Sequence, residues 1–146
     1  MLLVIGYGNT IRCDDGVGPH VAEAVADLNL AEVETLSVPQ LTPELAEPIS
    51  RASMVIFVDA ALDAPREVQL RELAPADSSQ VLAHTATPQT MLALARDVFG
   101  HAPTAWLLTI PIETTDIGEA LSHLARRCCT LAIQKISELA AQPTHQ

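Results

Sequence analysis

No stretch of this 146-residue chain reaches the ~20 consecutive apolar residues that a membrane-spanning helix requires. Positive charge is scarce too: 8 Lys and Arg stand against 18 Asp and Glu, a formal net charge of −10. That balance repels phosphate backbones and anionic lipid, so neither nucleic acid nor membrane is expected as a partner. Cysteines number three, an odd count, and Cys128 and Cys129 are adjacent. Neighbours like these cannot staple a secreted fold, so small buried thiols in a reducing cytoplasm are expected. No basic segment precedes the first apolar residues and no small-residue cleavage site follows them, so no secretory leader is expected. Repeats, low-complexity tracts and linkers are missing as well. Residues 1–146 are therefore expected to form a single domain.

What is present is a core. Nearly half of the residues, 49%, are hydrophobic and 18% are charged, the balance of a globular domain. Leu2–Ile5 is short, apolar and β-branched, as a strand buried on both faces should be. Val17, Val21, Ala24, Val25 and Leu28 then recur at helical spacing, with Pro19 tolerated in the first turn. Val33–Val38 predicts a second strand. Thr42-Pro43-Glu44 opens a helix that Pro48 is expected to cut short. Met54–Val58 predicts a buried strand ending on Asp59. Glu67–Leu73 alternates charged and apolar residues, as an edge strand with one wet face does. Thr87-Pro88 begins another helix, with Met91, Leu92, Leu94, Ala95 and Val98 apolar and Gly100 as its stop. Trp106–Ile112 predicts a further strand. A last helix is expected from Glu119 to Ala140, with Leu121, Leu124, Cys128, Leu131 and Leu139 facing inward. Strands alternating with helices place the chain in the α/β class, with a mostly parallel sheet covered on both sides.

The loop after the first strand, Gly6 to Gly18, reads GYGNTIRCDDGVG. A dinucleotide fingerprint fails there, because its third glycine is Ile11 and because Asp14 and Asp15 occupy the place of a pyrophosphate. Helix capping accounts for one of the two aspartates. The other invites a ligand. In open α/β sheets ligands bind beyond the carboxyl ends of the strands, and three metal-binding side chains are expected at that edge: Asp15, Asp59 and His84. Two carboxylates and an imidazole suit a borderline divalent ion such as zinc or nickel. The plainer readings are a turn-capping Asp59 and a surface His84. His20, His101, His123 and His145 read as surface, turn or tail residues.

Gly-x-Gly-Asn, four residues, then Asp-Asp-Gly-x-Gly directly after an N-terminal strand resembles the signature of the nickel-iron hydrogenase maturation endopeptidases. The resemblance continues through Phe57-Val58-Asp59-Ala60, the His84 loop before a helix, and Ile110-Pro111-Ile112-Glu113, covering roughly residues 1 to 140. It implies a three-layer α/β/α sandwich around a mostly parallel five-stranded sheet, phosphorylase/hydrolase-like. It also implies an enzyme that removes a C-terminal extension from the hydrogenase large-subunit precursor after nickel insertion. The family's two acidic residues and histidine match Asp15, Asp59 and His84 as metal-binding groups. The nickel is expected to arrive with the precursor, and zinc or another divalent ion suits the same position. Two differences stand out: many relatives carry glutamate at the position of Asp15, and a glycine-rich stretch where this chain has Ser37-Val38-Pro39-Gln40-Leu41-Thr42.

No nucleophile is evident. Cys13 lies beside carboxylates, which raise a thiol's pKa, and no His-Glu-x-x-His helix occurs. Asp15, Asp59 and His84 are accordingly the catalytic candidates as well. Two other functions are compatible with the chain: a non-catalytic chaperone for the precursor, and a small nucleotide- or nucleoside-using α/β enzyme.

Overall fold

The structure, a computed structural model, describes residues 1–9, 16–62, 65–77, 86–113 and 122–142. Five strands are β1 (Leu2–Tyr7), β2 (Val33–Val38), β3 (Met54–Ala61), β4 (Gln69–Leu73) and β5 (Thr104–Pro111). The helices are α1 (Val17–Asp27), α2 (Ala46–Arg51), α3 (Pro88–Phe99) and α4 (His123–Ala140), and a 3-10 turn over Pro43–Leu45 leads into α2. The sheet order is β2-β1-β3-β5-β4. All neighbours are parallel except β4, which runs antiparallel along β5 at one edge.

Period-2 alternation in the central strands builds two cores, one on each side of the sheet. Leu2 and Val4 of β1, with Met54, Ile56 and Val58 of β3, face α1 and α4. Leu3 and Ile5, with Val55 and Phe57, face the 3-10 turn, α2 and α3. A strand that must be apolar at every position reads as a continuous hydrophobic run, and this is why β1 and β3 are the plainest strands in the sequence. The result is the expected three-layer α/β/α architecture.

β4 lies at the sheet edge as expected, but it has no single wet face: Leu70 packs against the core under α1 and α4 and Leu73 against the one under α2 and α3, while Gln69, Arg71 and Glu72 are exposed. The caps follow their local chemistry. Thr87 and Thr90 form a reciprocal capping box at the start of α3, with Thr87 Oγ1 accepting from the Thr90 amide at 3.1 Å. Gly100 closes that helix in the left-handed region at φ 83°, which costs glycine nothing.

Four further expectations are corrected. Pro48 does not interrupt a helix. It lies in the first turn of α2, where the missing N–H has no intrahelical partner to lose. The last helix, expected roughly from Glu119, starts at His123, where Ser122 is extended and caps it, its hydroxyl accepting from the Ala125 amide at 3.1 Å; Glu119 and Leu121 lie outside the described residues. Asp59 does not end β3, which continues to Ala61 paired with β5. Leu28, Val98 and Leu131, counted with the apolar faces of their helices, are 48%, 62% and 47% exposed.

Candidate functional site

The chain leaves β1 to form β2 on one side and later places β3 on the other. The end of β1 is thus the switch point where an open α/β sheet opens its binding crevice. Pairing between β1 and β3 finishes at Gly6 and Val58. The next residues in register are Tyr7 and Asp59, side by side at the carboxyl edge. Both continue the odd-numbered face of their strands, the one that turns toward α2 and α3.

Backbone proximity draws α1 into the same corner. Gly6 packs against the backbone of Gly18 in the first turn of α1. A Cβ on Gly18 would stand 2.5 Å from the Tyr7 carbonyl oxygen and 2.7 Å from that of Val58. Only a residue without a side chain lets the helix start between the ends of β1 and β3. The cap position of α1 is Gly16, with no side-chain cap hydrogen bond. Asp14 and Asp15, one of which is expected as a cap, lie outside the described residues. Glycine is itself an acceptable cap, within a few tenths of a kcal/mol of the polar caps.

The Tyr7 hydroxyl donates a hydrogen bond to the Asp59 carboxylate. Burial first, then the neighbouring Asp59 charge and this bond, push the phenol's pKa well above its ordinary value, so the phenol is a permanent donor. Beside the pair, on the β2 side of β1, a pocket of about 210 Å³ is lined by Gly8, Asn9, Pro19, Ser37, Val38 and Pro39. Ser37, Val38 and Pro39, the start of the segment that in sequence differs from the glycine-rich stretch of many hydrogenase maturation endopeptidases, form one wall of this pocket.

Of the three residues expected to converge, Asp59 stands at the crevice. Asp15 and His84 lie outside the described residues, as does Cys13. Their chain neighbours are placed: Gly16 opens α1 and Thr87 caps α3. Among the described residues no three His, Cys, Asp or Glu side chains cluster as a metal site. Tyr7 was missed, and the signal that finds it is the parallel register. Cys128 and Cys129 are buried thiols, as expected. His20 and His123 are exposed, and His101 lies 3.3 Å from the Ala52 carbonyl oxygen.

No protein-family model and no curated protein sequence matches this chain. Solved structures do. The hydrogenase maturating endopeptidase HybD from E. coli superposes with a TM-score of 0.73 at 19% identity, covering 94% of this chain and 90% of that one. The NiFe hydrogenase maturation protease HybD from Thermococcus kodakarensis gives 0.72 at 21%, covering 95% and 98%. The maturation protease HycI from Thermococcus kodakarensis KOD1 gives 0.73 at 19%, covering 97% and 92%. The fold is that of the hydrogenase maturation proteases over nearly their whole length.

Proposed function

We propose that this chain is an endopeptidase of hydrogenase maturation, acting in the cytoplasm as one domain of residues 1–146. It would remove a C-terminal extension from the large-subunit precursor of a nickel-iron hydrogenase once nickel is in place. The observation that carries this reading is the position of Asp59. In a fold shared end to end with solved maturation proteases, a carboxylate stands at the switch point between β1 and β3. Asp15 directly precedes Gly16, the residue before α1, whose first turn packs against the ends of β1 and β3, and His84 stands three residues before Thr87, the cap of α3.

In this reading Asp15, Asp59 and His84 contribute three ligands to a nickel ion presented by the precursor's own cysteines. Three protein ligands leave a coordination position to be filled from outside, whereas structural metal sites are closed by four. A precursor without nickel offers none of these bonds and binds more weakly, which makes processing conditional on metal insertion. Free nickel or zinc binds the same three ligands but does not license cleavage, because the precursor must itself hold the ion.

The test is a side-by-side incubation of nickel-loaded and nickel-free precursor, read by intact mass. Cleavage of the loaded form alone is expected, with zinc in the buffer making no difference. Asp15→Asn and His84→Ala should abolish it while melting normally. Equal cleavage of both forms would overturn the nickel-sensing role, and binding without cleavage of either would make the chain a precursor chaperone.

A further inference from the structure

We propose that Tyr7 is a positioning residue for Asp59, its hydroxyl fixing the orientation in which the carboxylate meets the incoming metal. This rests on the reading of Asp59 as a nickel-contacting group. The argument begins with the register. Gly6 pairs with Val58, so Tyr7 and Asp59 occupy the next positions on adjacent parallel strands, where side chains on one face stand within reach of each other. β3 continues past this point on the backbone of β5 alone, so from β1 only a side chain reaches over to steady this part of β3.

Tyr7 suits that task in both halves. Its ring packs with Leu36 and Val38 against the cluster containing Leu3, Ile5 and Phe57, which fixes where the phenol oxygen sits. Its hydroxyl then spends its one proton on Asp59. A carboxylate has two torsions to lose when it takes up a ligand geometry. A hydrogen bond made before the metal arrives removes that freedom in advance, as partners behind metal ligands do in general. The structural alternative is that Tyr7 is only a core aromatic with a polar tip, in which case phenylalanine would serve equally well.

Tyr7→Phe in the full chain separates the two, since it deletes one oxygen and keeps the packing. Expected are a melting temperature within a few degrees of wild type, and a loss of roughly tenfold in affinity for nickel alone, by calorimetry. KM for the nickel-loaded precursor should rise in step. Placed on Asp59→Asn, the same change should add nothing, because residues acting through one another are not additive. Tyr7 is the chain's one tyrosine, so its ultraviolet resonance Raman bands report the bond directly and should shift on addition of nickel. Wild-type nickel affinity and KM in Tyr7→Phe, with both lost in Asp59→Asn, would overturn the positioning role and leave the nickel reading standing. Additive losses in the double variant would also overturn it. Unchanged nickel affinity and KM in Asp59→Asn would overturn the nickel reading, and the role of Tyr7 with it.

Discussion

Gly18 is the residue on which the crevice depends most directly without touching a ligand. In Gly18→Ala the new methyl meets two backbone carbonyls, of Tyr7 and Val58, at distances that real contacts do not tolerate. Neither neighbour is a flexible side chain that can swing away. Overpacking of this kind costs about 1–3 kcal/mol, and at this chain length each kcal/mol lowers Tm by roughly 2–4 °C. We therefore expect Gly18→Ala to melt several degrees lower and to lose processing, since relief requires the ends of β1 and β3 to part. A thermal scan with wild-type Tm would show that the helix shifts freely instead. Cys128 supplies a second prediction at this scale. Burial pushes its thiol pKa up, against the pull of Arg127 and Arg66. The folded value is thus above the unfolded ~8.5. Below that pH both states keep the proton and the contribution to stability is complete. Above it the unfolded state ionises first, and stability falls as pH rises through the folded value. Denaturant midpoints between about pH 8 and 10 should decline less steeply in Cys128→Ala than in wild type.

Along α4 the difference between hydrophobic and buried becomes measurable. Leu124 and Leu131 are seven residues apart, close to two helical turns, and the sequence offers no reason to rank one above the other. The structure buries Leu124 and leaves Leu131 about half exposed. The buried arc of α4 is centred on Ala125, Cys128, Cys129 and Ala132, small residues that let it lie close against α1. Leu131 falls on the rim. Leu124→Ala is expected to cost about 2–5 kcal/mol and Leu131→Ala less than about 0.5 kcal/mol, read from urea unfolding. The same cause explains the misplaced Leu28 and Val98: periodicity shows that a helix has an apolar side, and only its neighbours decide how far around that side they reach. Local signals were more reliable where the chemistry is local. The Thr87 cap, the Gly100 stop and the doubly buried runs of β1 and β3 were all legible in the residues themselves. Asp59 was legible as the residue following an apolar run. Tyr7 was not, because its partner is 52 positions away in sequence and is supplied by strand register alone.

At the scale of the whole molecule, the chain-end helices share one layer: α1 and α4 flank each other over the same core, while α2 and α3 occupy the opposite layer. Among the described residues the sheet they enclose contains no hairpin. β1 and β2 are separated by α1, β1 and β3 by α1 and α2 as well, and β5 pairs with β3 and β4 only after α3. Even the antiparallel pair is joined through a helix rather than a turn. Each pairing therefore closes a loop of the chain before it gains a single ladder bond, and parallel sheets with such connections fold slowly. During synthesis Tyr7 leaves the ribosome some fifty residues ahead of Asp59, and α4, which covers the finished core, comes last. The corner where the two meet is thus an early segment waiting for a late one, and until β3 arrives the exposed edge of β1 is open to pairing with another chain.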